Sequence, residues 1–106
     1  MINNKICGLL GLATRAGKIS FGTDACVSDL EKNKIKLVLI AGDASERTKN
    51  KFIEICSENN VDVVICLTID EISHATGKNN KAILGIKDGN FAKEIKKIID
   101  GGEAIG

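Results

Sequence analysis

The sequence predicts an α/β protein: a three-layer α-β-α sandwich with a mixed central sheet of about four strands. Short apolar runs alternate along the chain with segments of helical apolar spacing, and the connections between them are short. One run, residues 36–41, is apolar without alternation. Such a run is typical of a strand covered on both faces, as in the centre of an α/β sheet.

The first third of the chain is predicted to hold two helices and a short strand. Asn3 or Asn4 is expected to cap the first helix, and Gly17 to end it. Residues 18–21 are then extended. A second helix covers about 24–32, with apolar residues along one face.

The middle of the chain is predicted to form two strands around a third helix. Strand 36–41 leads into a loop from which either Asp43 or Ser45 caps this helix. Two asparagines, Asn59 and Asn60, stop it, and a second apolar strand follows at 61–67.

The remainder is predicted to form two further helices and one strand. Residues 68–71 are a capping box that starts a short helix ending at Gly77. Another strand covers 81–86, and residues 88–90 turn into the last helix. The glycine-rich tail, about 100–106, is expected to be frayed. The chain length predicts that 1–106 form a single domain.

Composition argues against several classes of protein. The net charge is +1, Trp and Tyr are both absent, and the three Phe, at 21, 52 and 91, are isolated, which argues against an open single-strand RNA binder with stacking aromatics. The four cysteines, at 7, 26, 56 and 66, have no CxxC spacing, so we expect neither a metal site nor a cofactor. Reduced thiols and the lack of a signal peptide or membrane span favour a cytoplasmic protein.

Candidates for catalysis are few. The single histidine, His74, lies within the short fourth helix, and no nucleophile can be assigned to it from spacing. Asp43 follows the central strand, where ligands of α/β sheets bind, but it is also a natural helix cap. We therefore expect no enzymatic activity, with a small-ligand enzyme at Asp43 as the weakest alternative.

The turn Gly22-Thr23-Asp24 leads from a strand into a helix. Such a turn exposes backbone N–H groups and the positive end of the helix dipole, and so suits phosphate. The alternative is that Thr23 or Asp24 only caps the helix. Acid-free segments at 1–22 and 78–87 could add a local basic face.

Three loops are expected to lie at one edge of the sheet: 15–24, 42–49 and 66–69. The first two would supply cations and helix starts, and the third the exposed apolar side chains of Leu67 and Ile69. Cations hold phosphates and an apolar loop covers an unstacked base, so this combination favours structured RNA over a small metabolite.

At these residues the sequence resembles the kink-turn-binding ribosomal protein family (the L-seven-Ae class), and within it the short bacterial YlxQ-type members. The resemblance covers about 5–99 and rests on LLGLATRAGK at 9–18, Gly22, KLVLIAGDAS at 36–45, and ISHATG at 72–77. It implies an α-β-α sandwich, no enzymatic activity, and as partners a kink-turn or ribosomal RNA together with ribosomal or translation-associated proteins. The protein is expected to be a monomer.

The resemblance also implies which residues contact RNA. The turn at Gly22 would enter the groove at tandem sheared G·A pairs, the 67–69 loop would cover an extruded nucleotide, and nearby cations would contact phosphates. The expected RNA-binding residues are Arg15, Lys18, Gly22, Thr23, Asp24, Ser28, Lys49, Leu67, Thr68 and Ile69.

The turn departs from the pattern of the strong binders of that family. They carry Gly-x-Asn-Glu and a lysine three residues later, where this chain has Asp24, Ala25 and Ser28, and His74 replaces another lysine. Each good contact that is lost costs roughly 1–3 kcal/mol. The second alternative is therefore a protein-interaction module that keeps the fold and has lost RNA binding.

Overall fold

The alternation of helices and strands expected from the sequence is present in the computed structural model of the chain, which describes residues 2–102. The elements, in chain order, are α1 (Ile2–Arg15), β1 (Ile19–Phe21), α2 (Thr23–Glu31), β2 (Leu37–Ile40), α3 (Glu46–Glu58), β3 (Asp62–Ile65), α4 (Ile69–Thr76), β4 (Ile83–Ile86), α5 (Gly89–Lys97) and a π-helical turn (Ile98–Gly102).

The four strands form one mixed sheet in the order β1-β4-β2-β3. Strand β4 is antiparallel to both of its neighbours, whereas β2 and β3 are parallel. Strands β1, β2 and β3 therefore run in the same direction. In register, Leu84 of β4 lies between Phe21 of β1 and Leu39 of β2.

The sheet is covered on both faces, which confirms the three-layer sandwich. All four residues of β2 are buried and their side chains alternate: Leu37 and Leu39 pack with α1, α4 and α5, while Val38 and Ile40 pack with α2 and α3. Phe52 of α3 is the largest side chain that is fully buried. The two cores are separated by the sheet itself, so each helical layer is fixed by its own set of apolar side chains.

Strand β3 is shorter than the sequence suggested. The apolar run 61–67 yields only Asp62–Ile65 as a strand, and it lies at the edge of the sheet with partial exposure along its length. Ile65 keeps 47% of its surface exposed. An apolar run alone does not distinguish a central strand from an edge strand.

Helix boundaries follow the local signals in most places. Ser45 caps α3, Thr68 and Glu71 form the expected capping box of α4, and Gly77 ends α4 in the left-handed region with φ of 77°. Asp88 caps α5 through the N–H of Phe91, at 3.0 Å.

Two predicted helix starts are wrong. Helix α1 already includes Asn3 and Asn4, so neither is its cap, and the preceding position lies outside the described residues. Helix α2 is preceded by Gly22 as its N-cap, so Thr23 and Asp24 occupy the first turn instead of capping it.

The C-terminal segment continues further in helical form than α5 itself. The π-helical turn extends to Gly102, and its Ile98 and Ile99 pack against the core that α1, α4 and α5 form on one face of the sheet. Residues 103–106, to which most of the expected frayed tail belongs, lie outside the described residues.

Gly85 in β4 is required by close packing. A Cβ atom at this position would lie 2.4 Å from Cδ1 of Ile35 and 3.3 Å from Sγ of Cys26, because α2 and the segment before β2 press directly on the strand. We expect Gly85→Ala to lower the free energy of unfolding by about 1–3 kcal/mol, measured by urea denaturation. The cost should be smaller in an Ile35→Val background, which removes the clashing methyl group.

Gly8 provides the matched control for this substitution. It lies inside α1, and a Cβ atom there would have no neighbour within 4 Å. We expect Gly8→Ala to stabilise the protein by roughly 0.5–1 kcal/mol through helix propensity. Equal effects of the alanine substitutions at both glycines would contradict the packing explanation.

Candidate nucleic-acid interface

One edge of the sheet collects the starts of three helices. Because β1, β2 and β3 run in the same direction, their C-terminal ends meet at this edge, and α2, α3 and α4 begin there. The antiparallel β4 enters the sheet between them. We call this surface the helix-start edge; it comprises residues 22–25, 42–46, 67–70 and 78–82.

Backbone hydrogen bonds hold this edge together. The N–H of Gly22 donates to the carbonyl of Ile83 at 3.0 Å, and that of Ala41 to the carbonyl of Ala82 at 2.8 Å. On the other side, Gly42 donates to the carbonyl of Leu67 at 2.8 Å. The three helix starts are therefore joined through the ends of the strands that precede them.

The helix starts differ in how their N–H groups are satisfied. Ser45 Oγ accepts from the N–H of Thr48 at 3.1 Å in α3, and Thr68 Oγ1 accepts from Glu71 at 3.1 Å in α4. Gly22 has no side chain to offer, and α2 has no side-chain cap. Within residues 2–102, no acceptor is found for the N–H groups of the first α2 turn, residues 23–25.

Gly22 also has a backbone conformation that only glycine adopts readily. Its φ of 87° and ψ of 171° lie in a region that is strained for any residue with a Cβ atom. The strand therefore turns sharply into α2 and leaves bare backbone at the surface. A ligand can approach the open N–H groups closely, and the helix dipole favours a negative or electron-rich group there.

Two lysines that the sequence analysis did not assign to the site lie next to this turn. A Cβ atom placed on Gly22 would be 3.7 Å from Nζ of Lys81, and Nζ of Lys78 lies 5.6 Å from the centre of the Phe21 ring. The signal available in the sequence was the acid-free segment 78–87. Lys78 and Lys81, in the first half of that segment, lie near the Gly22 turn because the strand that follows them, β4, pairs with β1.

The loop before α4 is built differently from the expectation. Leu67 is only 7% exposed, and its φ of 65° turns the side chain into the core shared by α1 and α4, so the expected exposed apolar side chain at Leu67 is wrong. Thr68 is exposed and Ile69 half-buried. The large apolar side chain left exposed on this part of the chain is Ile65.

Of the two caps that the sequence allowed for α3, Ser45 is the one observed, and Asp43 has a different role. Its Oδ1 accepts a hydrogen bond from the N–H of Ile69 at 3.0 Å, so it links the loop after β2 to the first turn of α4. Together with the bond from Gly42 to Leu67, this contact fixes the two loops to each other. The carboxylate of Asp43, which the sequence offered as a candidate catalytic acid, is therefore engaged by a backbone N–H group.

The cations at Arg15 and Lys18 lie elsewhere, so the expected grouping of loop 15–24 at one edge is wrong. Lys18 precedes β1 and its carbonyl accepts from the N–H of Lys87 at the opposite edge of the sheet, at 2.8 Å. The three residues of β1 lie between Lys18 and Gly22, and four extended steps of about 3.3 Å place the two residues about 13 Å apart. Arg15, at the end of α1, comes just before this opposite edge.

The other expected site residues lie on the helices that start at this edge. Lys49 of α3 is half-buried and its Nζ lies 3.3 Å from the carboxylate of Glu46, which partly neutralises it. Ser28 is half-buried on α2, in the turn after the open N–H groups.

A groove of about 460 Å³ lies between α1 and α4 and contains the single histidine and one of the cysteines. It is lined by Asn4, Cys7, Asp70, Glu71, His74 and Ala75. Burial, with the nearby Glu71 carboxylate, raises the pKa of Cys7. Burial also raises the pKa of Cys66 to about 11, so both thiols are protonated at neutral pH and are poor nucleophiles. His74 is exposed, with Nδ1 2.9 Å from the carbonyl of Asp70 in its own helix.

Among residues 2–102, no three His, Cys, Asp or Glu side chains are grouped so that they could hold a metal ion. No helix in this part of the chain combines the length and apolar character needed to cross a membrane.

Comparison with known proteins identifies relatives over nearly the whole chain. Residues 4–96 match the model of the Ribosomal protein L7Ae/L30e/S12e/Gadd45 family. The chain is 39% identical over 97 residues to "RNA-binding protein YlxQ" of Enterococcus faecium, covering 92% of this chain and 93% of that protein. It is 29% identical over 92 residues to the protein of the same name from Bacillus subtilis (strain 168), covering 87% and 92%.

Solved structures give the same fold. A Bacillus halodurans C protein described as of unknown function superposes with a TM-score of 0.87 at 29% identity, covering 91% of this chain and 97% of that one. The Giardia lamblia 15.5kD RNA binding protein superposes with a TM-score of 0.77 over 99% of this chain and 90% of its own; at 16% identity this likeness shows the fold alone.

The family match and the identity to the bacterial relatives agree with the resemblance noted in the sequence. The chain therefore belongs to the Ribosomal protein L7Ae/L30e/S12e/Gadd45 family, in its short bacterial YlxQ-type branch.

Proposed function

We propose that the chain is a non-enzymatic RNA-binding protein that recognises a kink-turn or a related structured RNA through the helix-start edge. The observation that carries the proposal is the start of α2, where the first-turn N–H groups have no side-chain cap and the Lys81 ammonium lies next to Gly22. Backbone N–H groups and lysines are the usual partners of RNA phosphates. The two relatives named as RNA-binding proteins support the same class of ligand.

The size of the edge favours a folded nucleic acid over a small metabolite. The Gly22 turn and the 67–69 loop are separated by three strand spacings, about 14 Å, because β4 and β2 lie between them. A ligand that uses both must span this distance. No enclosed cavity is required, which suits a surface that docks against a groove.

Each site residue has a role in this proposal. Gly22 lets the RNA approach the backbone, Thr23 offers its open N–H, and Asp24 accepts hydrogen bonds from a guanine edge. Thr68 and Ile69 border the position of an extruded nucleotide, while Leu67 supports that loop from the core. Lys78 and Lys81 take the phosphate-contacting role at this edge that the sequence analysis gave to Arg15 and Lys18.

The proposed cellular setting follows from the family. We propose that the RNA is ribosomal or otherwise part of translation, and that 1–106 act as a monomeric single domain. The family match over residues 4–96 supports one domain, and four free cysteines suit a reducing cytoplasm.

Binding should depend on the sheared G·A pairs of a kink-turn. We expect gel-shift titration to give tighter binding to a kink-turn duplex than to the same duplex without those pairs. The logarithm of affinity should fall with the logarithm of salt concentration with a slope of about −2 to −4, because few cations line this edge. Equal binding to both duplexes, or none to either, would reject the kink-turn proposal.

A cation restored on α2 should strengthen binding. Ser28 stands where strong binders of the family carry lysine, one turn beyond the open N–H groups. We expect Ser28→Lys to tighten kink-turn binding by about 0.5–1.5 kcal/mol, roughly two- to tenfold, measured by fluorescence anisotropy.

Ser57→Lys is the matched control. Ser57 is exposed in the last turn of α3, at the far end of that helix from the helix-start edge, and the substitution adds the same charge. If both variants tighten binding equally, the gain is a general charge effect and gives α2 no special role.

A further inference from the structure

A second basic surface lies at the edge of the sheet opposite to the helix-start edge. An open depression of about 390 Å³ is lined there by Gly17, Lys18, Asn33, Lys34, Lys36 and Lys87. We call Lys18, Lys34, Lys36 and Lys87 the lysine face. No carboxylate lines the depression, and none of the four lysines takes part in an ion pair within the described residues.

The sheet itself aligns three of these lysines. Lys18 precedes β1, Lys87 follows β4 and Lys36 precedes β2, and these are adjacent strands. The N–H of Lys87 donates to the carbonyl of Lys18 at 2.8 Å, and that of Lys36 to the carbonyl of Ile86 at 2.7 Å. Three cations thus leave the backbone within about 10 Å of one another, on a rigid support.

Lys34 joins them from the end of α2, where the chain turns back toward the sheet. Asn33 has a φ of 59° and makes this turn, and the N–H of Lys34 donates to the carbonyl of Asp29 at 2.9 Å. The turn is therefore hydrogen-bonded in place, and it brings a fourth ammonium group to the same depression.

Asp29 is an acid that interacts electrostatically with two lysines of this surface, Lys87 and Lys34. Its carboxylate accepts a hydrogen bond from the hydroxyl of Ser20, which is the main cause of its lowered pKa; Lys87, Lys34 and Lys32 lower it further. The neighbouring acid Asp88 is engaged as the cap of α5, and Glu31 is exposed on α2. With the Asp29 and Asp88 carboxylates both counted, the four lysines still leave an excess of positive charge at this surface.

The chemistry of the lining points to phosphate rather than to a protein. Protein interfaces are depleted in lysine and centre on apolar or aromatic anchors, whereas the lining here has only lysines, one glycine and one asparagine. Lysine binds phosphate as a point charge and needs no fixed hydrogen-bonding geometry. A row of such charges fits the backbone of a nucleic acid, read without sequence preference.

We propose that the lysine face is a second RNA-binding site, which holds the phosphate backbone of an RNA helix while the helix-start edge reads the structured motif. The chain would then contact two RNA segments on opposite edges of one sheet. The choice of RNA as the partner rests on the proposed function, whereas the location of the site rests on the lysines alone.

The test uses a short blunt-ended RNA duplex without bulges and the triple variant Lys18→Gln/Lys36→Gln/Lys87→Gln. The matched control removes three exposed lysines elsewhere: Lys51→Gln/Lys93→Gln/Lys97→Gln, with the same net charge. We expect the lysine-face variant to bind the duplex at least about tenfold more weakly at low salt, with a salt slope shallower by about 2–3, while the control keeps most of its binding. Circular dichroism and thermal melting check that both variants fold.

Two results would overturn the inference. The first is an equal loss of duplex binding in the lysine-face variant and the control, which would make the effect one of net charge. The second is a poly-glutamate peptide that binds the wild type as tightly as the duplex and depends on the same lysines, which would assign the face to an acidic protein.

A second measurement separates this inference from the proposed function. Lys78→Gln/Lys81→Gln reports on the helix-start edge through binding of the kink-turn RNA. Suppose that this variant binds the kink-turn RNA as tightly as the wild type does, while the lysine-face variant binds the duplex more weakly. The helix-start edge is then rejected as the kink-turn site, and the lysine face is supported as an RNA-binding site. The reverse pattern would reject the lysine face and support the helix-start edge.

Discussion

Strands β2 and β4 must be covered on both faces, because every residue in them is buried. Apolar side chains that alternate to both sides of a strand can be removed from water only if helices lie above and below it. This requirement fixes the two helical layers, with α1, α4 and α5 on one side and α2 and α3 on the other. Gly85 shows how closely the second layer approaches, since Ile35 and Cys26 occupy the space a side chain would take.

The direction of the strands then divides the surface into two chemically different edges. Where β1, β2 and β3 end, helices begin, so this edge presents helix N-termini together with two lysines and the first-turn acids Asp24, Glu46 and Asp70. At the other edge α2 ends, and the lysines near its C-terminus lie at the negative end of the helix dipole. The first edge is therefore marked by the backbone N–H groups of helix starts, and the second by lysine side chains.

Local signals in the sequence were sufficient for the fold class and for most elements. The unalternating run at 36–41, the capping box at 68–71 and the glycine at 77 each act within a few residues, so they can be read before the fold is known. The choice between Asp43 and Ser45 as the cap of α3 could not be made from sequence alone. Asp43 bonds across the fold to Ile69, a partner 26 residues away.

The placement of the candidate-site residues was predicted less well than the fold for the same reason. The Gly22 turn was found from its local pattern, but the cations assigned to it depended on strand order. Three residues of β1 place Lys18 at the far edge, and the antiparallel β4 brings Lys81 to Gly22 instead. Leu67 was expected to be exposed as part of the loop 66–69, and a positive φ, which sequence rarely signals for leucine, turns it inward.

The bonds that tie the loop before α4 to the loop after β2 have a thermodynamic consequence for recognition. Asp43 holds the N–H of Ile69, and Gly42 holds the carbonyl of Leu67, so this part of the surface is already in one conformation before any ligand arrives. A preorganised surface loses little conformational entropy on binding. Under the proposed function, most of the conformational entropy lost on binding at this loop would therefore be lost by the RNA and not by the protein.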